Sequence, residues 1–229
     1  MGRLTIVLPV LNEAAIVVAA LQALAPLRAR GAEIIVADGG SHDGTAHLAE
    51  PFADRIITVR RGRGTAMNAG AALGGGDALL FLHADTALPD GADRLIDAAL
   101  ARHAWGRFDL RIAGSHPFLA VVARMINLRS RATGIATGDQ AIFVTREAFA
   151  AVGGFPDLPL MEDIAISRRL KRLCRPFCIA TPVVTSGRRW EHNGVLSTIL
   201  LMWRLRLSYY LGVEPALLAE HYGAPRSPA

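Results

Sequence analysis

A chain of 229 residues, 52% hydrophobic and 20% charged, with 22 Gly and 12 Pro, has the composition of an ordinary globular protein, which excludes disorder, collagen and coiled coil. At about 150 residues per domain, the length fits one large α/β domain able to bury about 70% of its unfolded surface without disulfide help. The formal net charge is +5 and Lys171 is the single lysine among the 25 basic residues. That surface of guanidinium forks suits phosphate, nucleic acid or anionic lipid, and a coding bias toward arginine explains it equally.

Leu4 to Val10 is a short apolar run with β-branched residues and reads as a strand. It is too short, and too soon followed by Asn12 and Glu13, for a secretory leader, so a cytoplasmic location is expected. A helix from Glu13 to about Arg30 should follow, capped by Asn12 and ended by Gly31. Glu33 to Asp38 repeats the strand pattern, and the loop from Gly39 to Gly44 opens a shorter helix. Arg55 to Val59 is a third strand, Ala66 to Leu73 a helix, and Ala78 to His83 a fourth strand. Near-continuous apolar strands separated by helices imply a mostly parallel sheet covered on both faces, with its ligand beyond the carboxyl ends of the strands.

The second half is less regular. It offers a strand near Phe108 to Ile112, a helix from Phe118 to Ala132, a strand from Ala141 to Thr145, a helix from Ile164 to Leu173, and an apolar helix from Val195 to Leu211. Cys174 and Cys178 have the spacing of neither a zinc ribbon nor a redox pair and read as inert thiols in a reducing compartment. With no repeat or linker, one domain over 1–229 is expected: a nucleotide-binding half to about 112, an acceptor half to about 193, and the apolar helix.

Polar residues cluster at the strand ends. Asn12 and Glu13 follow the first strand, Asp38 ends the second, Arg60, Arg61 and Arg63 follow the third, and Asp85 follows the fourth. Asp85 is placed to hold a divalent cation, which takes one or two carboxylates plus phosphate oxygens and water, or to cap a turn. His83 suits a Mn²⁺ ligand or a satisfied donor. Asp38 can accept from a uracil or guanine edge while the glycines beside it let a ligand approach, or it can hold the following turn. In Arg61-Gly62-Arg63-Gly64-Thr65-Ala66-Met67 the third glycine of a dinucleotide fingerprint is missing, and the segment follows the third strand, so an NAD site is excluded. Arginines at a helix N-terminus still make a diphosphate cradle.

Glu162 and Asp163 open a helix, where burial and a like charge can raise one pKa into the range of a general base; Asp163 is the candidate, and plain helix-dipole partners are the alternative. The helical cluster Arg168, Arg169, Lys171, Arg172 reads as a solvated or membrane-facing side. Arg189 and Trp190 suit one wall of a sugar or lipid-linked acceptor site, and His192 suits a group reaching the metal or the departing phosphate.

Together these residues resemble the family-2 glycosyltransferases of the GT-A fold, over roughly Leu4 to Trp190. The likeness rests on six pieces in the family's order: Ile6 to Glu13, Val36 to Thr45, Asn68-Ala69-Gly70, Leu82-His83-Ala84-Asp85, Gly138-Asp139-Gln140-Ala141 and Met161-Glu162-Asp163. It is similar to small stand-alone bacterial members, including a subgroup described as associated with radical-SAM and selenium-related proteins. The resemblance implies that Pro9, Asn12, Glu13, Asp38 and Gly40 hold the base and ribose of a UDP- or GDP-sugar, with Arg63, Gly64 and Asn68 near the diphosphate. It makes Asp85 the last aspartate of an Asp-x-Asp motif binding Mn²⁺ or Mg²⁺, with His83 in the first position and Ala84 between. It makes Asp163, beside Glu162, the catalytic aspartate, and puts Gly138, Asp139, Gln140, Arg189 and Trp190 on the acceptor side. Ser186 stands where the family's Gln-x-x-Arg-Trp motif has glutamine, and that motif accompanies processive synthesis, so transfer of one sugar is implied.

Val195 to Val213 would span about 28 Å as a helix, but Arg204 and Arg206 near its middle each cost about 2.5 to 3.5 kcal/mol at a bilayer centre. An interfacial helix touching lipid through Leu200, Leu201, Met202, Trp203, Leu207 and Tyr210 is the expectation, beside packing on its own domain or a homo-oligomer interface. Nucleic acid is not an expected partner, for want of an aromatic-rich stacking strand. A metal-dependent nucleotidyltransferase and a catalytically dead nucleotide-sugar or anion-binding module stand as alternatives.

Overall fold

The structure is a computed structural model that describes residues 3–59 and 62–223. Arg60 and Arg61, expected beside a diphosphate, lie outside the described residues. In chain order the elements are β1 (Leu4–Val10), α1 (Val17–Ala23), α2 (Ala25–Ala29), β2 (Glu33–Asp38), α3 (Thr45–Ala49), β3 (Arg55–Thr58), α4 (Arg63–Leu73), β4 (Ala78–Phe81), β5 (Thr86–Ala87), α5 (Ala92–Leu100), β6 (Trp105–Ala113), α6 (Phe118–Thr133), a single 3-10 turn (Gly138–Gln140), β7 (Phe143–Thr145), α7 (Arg146–Ala151), α8 (Glu162–Leu170), β8 (Phe177–Ser186), α9 (Arg188–Asn193), α10 (Val195–Tyr210) and α11 (Pro215–Gly223).

The strands form one sheet in the order β3-β2-β1-β4-β7-β6-β8-β5. The pairs β3–β2, β2–β1, β1–β4 and β6–β8 are parallel, while β7 runs antiparallel to both of its neighbours. β2 is buried along its whole length and β1 everywhere but Pro9, as expected of strands covered on both faces. Strand alternation divides the core. Ile6, Leu8 and Val10 of β1 join Val17, Leu21, Leu24 and Leu27 on one side, and Val7 joins Ala66, Met67 and Ala71 of α4 on the other. Helix α4 lies so close that a Cβ on Gly70 would come within 2.4 Å of a Val7 methyl.

The far end of α4 is closed by Arg146, whose guanidinium donates to the carbonyls of Ala71 (2.7 Å), Gly74 (2.8 Å) and Gly76 (2.5 Å). One fork thereby satisfies carbonyls that a helix terminus leaves without intrahelical donors.

The helix expected over Glu13 to Arg30 is shorter and broken. Asn12 is in the left-handed region at φ 55°, and its Oδ1 accepts the His42 N–H at 2.9 Å, so it bridges two loops and caps nothing. α1 starts only at Val17 and stops at Leu24, where Pro26 opens α2 in the first turn, the place proline tolerates. Strand β8 had no counterpart in the sequence reading. It holds Pro182, its burial does not alternate evenly, and its register against β6 slips between Phe108 and Leu110, which together erase the two-residue period.

Candidate active site

The carboxyl ends of β1, β2 and β4 meet the start of α8 and the chain after β8. The loops after β1 and β2 are stitched together: the Asn12 N–H donates to Ser41 Oγ (2.8 Å), the Glu13 N–H to Thr45 Oγ1 (2.9 Å) and the Ala14 N–H to Asp43 Oδ2 (3.0 Å). Asp38 is buried, and both of its oxygens accept the Ser41 N–H at 3.1 Å, so the carboxylate holds its own turn. Gly40, at φ 89° with open space around its α-carbon, and half-buried Pro9 line the same end.

Two residues expected at a diphosphate have other duties. A Cβ on Gly64 would meet the Pro156 carbonyl at 2.7 Å, so this glycine lets α4 pack on the loop before α8. Asn68 pairs fully with the Phe155 backbone, its Nδ2 donating to the carbonyl (2.8 Å) and its Oδ1 accepting the N–H (2.9 Å). Arg63 remains site-facing and donates to Glu162 Oε1 at 3.2 Å.

Glu162 and Asp163 divide their work. Glu162 is the buried one; burial first, and then the charge of Asp163, push its pKa up, against the pull of Arg63. Asp163 is half-buried and doubly oriented: Oδ2 accepts the Gly138 N–H (3.0 Å) and Oδ1 the Ile164 N–H (2.7 Å). The neighbour whose pKa is raised is therefore Glu162, held by an arginine, while Asp163 is the oriented carboxylate.

His83, Arg63, Gly138, Glu162 and Asp163 line a cavity of about 10 Å³, room for about one water. A Cβ on Gly138 would lie 2.5 Å from His83 Nε2, so the glycine is what lets the imidazole reach this place. Burial, with Arg63 nearby, lowers the His83 pKa to about 3, leaving a neutral ring. Ala84 is buried, and Asp85 is exposed, with its carbonyl accepting the Ser186 N–H at 3.1 Å. The Glu13 pKa is raised by burial and by the charge of Asp85, with Arg188 and Arg63 opposing.

Among the described residues no three His, Cys, Asp or Glu side chains gather into a ready metal cage. His192 is exposed at the end of α9 and joins no such group. The exposed carboxylate of Asp85, near enough for its charge to act on Glu13, fits instead a hard cation whose other ligands are phosphate oxygens and water. Of the remaining acceptor-side candidates, Gln140 is fully buried and closes a capping box with Thr137, and Asp139 is half-buried with its Oδ1 enclosed and unpaired, its pKa raised by desolvation of the carboxyl. Trp190 packs against the main core, while Arg189 is exposed.

The glycosyl transferase family 2 pattern matches residues 5–143, more than half of the chain, and takes in the carboxyl ends of β1, β2 and β4. The chain belongs to glycosyl transferase family 2. A PGL/p-HBAD biosynthesis glycosyltransferase of Mycobacterium bovis is 39% identical over 102 residues, which are 42% of this chain and 40% of that protein. Two solved structures share the GT-A fold. The mannosyltransferase PcManGT from Pyrobaculum calidifontis, in complex with GDP-Man and Mn²⁺, has a TM-score of 0.63 and 22% identity over 99% of this chain and 66% of that one. S. aureus TarS in complex with UDP-GlcNAc has a TM-score of 0.66 and 15% identity over 80% of this chain and 58% of that one. The chain thus spans less than two thirds of the length of each of these proteins.

One residue of this family-2 chain escaped the sequence reading. Tyr222, near the end of α11, lies over the site with its ring 4.0 Å from the Arg189 guanidinium carbon, within electrostatic reach of Arg63, Asp163 and Asp139. Nothing local to its sequence signals this, because the contact depends on α10 and α11 folding back as a pair.

Proposed function

We propose that this chain transfers one sugar from a UDP- or GDP-sugar to an acceptor hydroxyl, with inversion, using Asp163 as general base. The observation that carries this reading is the orientation of Asp163. Two backbone N–H groups occupy two of the roughly four acceptor positions of its carboxylate and leave the others for an incoming hydroxyl. As the acceptor oxygen bonds to the anomeric carbon, its proton passes to Asp163 and the bond from that carbon to the diphosphate oxygen breaks; a single displacement inverts the centre.

The other residues prepare this step. Glu162 holds Arg63 beside the candidate base, and the neutral His83 adds no competing charge. A Mn²⁺ or Mg²⁺ ion at Asp85, near Glu13, would neutralise charge on the departing diphosphate. Arg188 and Arg63, both within reach of Glu13, add positive charge on that side. The donor class draws support from neighbours of the same fold that bind GDP-Man with Mn²⁺ and UDP-GlcNAc.

The test is a melting-temperature panel with UDP, GDP, CDP and ADP, each with Mn²⁺ and with EDTA. A ligand at a hundred times its Kd stabilises the folded chain by about 2.7 kcal/mol. A rise with UDP or GDP that needs Mn²⁺ and vanishes in Asp85→Ala is the expected result. No rise with any nucleotide would overturn the reading.

A further inference from the structure

Helix α10 is apolar nearly all round, a pattern normally found in helices buried on every side. Only one side is covered here. Thr198 and Leu205 are buried, and Leu201, Met202 and Tyr209 pack with Ile135, Met161 and Ile164. Leu201 and Met202, expected at a lipid surface, therefore face inward. On the opposite side Leu196, Leu200, Trp203, Leu207 and Tyr210 recur at helical spacing and are 56% to 70% exposed, forming a ridge about 21 Å long. The ridge continues past the helix end into Leu211, which is also exposed.

The charges that α10 itself carries are of one sign. Arg204 and Arg206 are the only ionisable side chains of α10 apart from its tyrosines, and at about 100° per residue they lie about 80° to either side of the ridge. Arg204 is exposed and Arg206 half-buried, with Arg129 and Asp139 within its reach. Exposed Arg168 sits over the Tyr210 ring, 5.8 Å from its centroid. An apolar ridge edged by guanidiniums matches a surface with apolar depth and anionic rims, in which long basic side chains reach outward to phosphates. A second copy of the chain fits poorly: a two-fold axis through the middle of α10 would set Arg204 and Arg206 of one copy against those of the other.

We propose that the outward face of α10 lies in the interface of an anionic bilayer, parallel to its plane. No helix among the described residues is long and apolar enough to cross a membrane, so the contact is superficial. The inner face of the same helix packs on Met161 and Ile164, either side of Glu162 and Asp163, which puts the bilayer about one helix diameter, about 10 Å, from the candidate base. A lipid-borne acceptor hydroxyl suits that distance. This consequence rests on the transferase reading; the membrane contact does not.

Flotation of the full chain with vesicles tests the contact without any activity assay. Binding is expected to phosphatidylcholine vesicles containing about a third phosphatidylglycerol, weakening with salt, and not to phosphatidylcholine alone. Trp105 is buried and Trp190 half-buried, so a blue shift of emission on binding reports Trp203. Arg204→Gln should weaken binding about fivefold. Trp203→Glu should abolish it at an unchanged melting temperature, because the side chain touches solvent. Failure of the wild type to float with anionic vesicles would overturn the proposal, as would flotation of Trp203→Glu like the wild type. So would a dimer in sedimentation that Trp203→Glu converts to monomer, since the ridge would then belong to a second copy.

Discussion

The two sides of the candidate site are held by different means. On the donor side, the loops after β1 and β2 are tied by side chains of Asn12, Ser41, Asp43 and Thr45 to backbone N–H groups some thirty residues away, over strands buried on both faces. On the acceptor side, the start of α10 joins the main core through Val195 and Ile199, while the rest of α10 and α11 pack through one small cluster around Leu205 and Leu218 and leave a row of large apolar side chains exposed. Buried strands with paired loops open only with the whole domain, whereas a helix pair with few buried contacts opens locally. On the transferase reading, the loops after β1 and β2 would form a rigid receptacle and α10 with α11 a movable cover, and each half of that contrast can be tested.

The largest effect is expected where the two sides touch. Asp163 is oriented by Gly138 from one element and by its own helix, so its carboxylate is fixed by backbone donors from two different segments. Asp163→Asn keeps the shape and removes the proton acceptor. It should lower kcat by about 10² to 10⁴ while leaving nucleotide affinity within about twofold, read by steady-state transfer and by calorimetry. An equal loss in both would make Asp163 part of the receptacle.

Next comes the rigid side itself. Arg146→Met keeps the aliphatic stem and strands the carbonyls of Ala71, Gly74 and Gly76, and should cost about 3 kcal/mol in urea unfolding. Arg146→Lys should recover less than half of that loss, since an ammonium lacks the fork that meets three carbonyls at once.

His83 gives a pH signature. Its folded pKa of about 3 lies below the ordinary 6.5, so the folded state binds fewer protons there than the unfolded chain. That contribution to stability is complete above pH 6.5 and is lost as pH falls toward 3, at up to about 1.4 kcal/mol per pH unit. The buried carboxyls of Glu162 and Asp139 have raised pKa values and act in the opposite sense, being easier to bury once protonated. The difference in urea stability between wild type and His83→Gln isolates the imidazole: the wild type should lose more between pH 6.5 and 5. Parallel pH profiles would mean that His83 is solvated.

The same contrast explains what was legible in the sequence. The donor side was readable because strand, loop and helix each leave a local mark: apolar runs such as Ile34 to Ala37, glycines such as Gly40 where φ must be positive, and a polar or charged group at each strand end. Placement there did not predict duty. Asn68 and Gly64 sit in the right segment, yet they serve the packing of α4 against Phe155 and Pro156, which depends on a loop nearly ninety residues away. On the acceptor side, β8 carries a proline and a register slip, and Tyr222 meets Arg189 only through the fold of two helices. Neither contact has a short-range period to read.

The smallest effect lies at the cover. A guanidinium over an aromatic ring at a partly exposed site contributes about 0.5 to 1 kcal/mol, so Tyr222→Ala should barely change global unfolding. Its effect should be local. Amide exchange in α11 should already be orders of magnitude faster than in β1, and in Tyr222→Ala it should quicken by about another two- to fivefold while β1 is untouched. Tyr222→Phe keeps the ring over Arg189 and should exchange like the wild type. If α11 proved as protected as β1, the two sides would form one cooperative unit, and an acceptor would have to enter by a route that leaves Tyr222 in place.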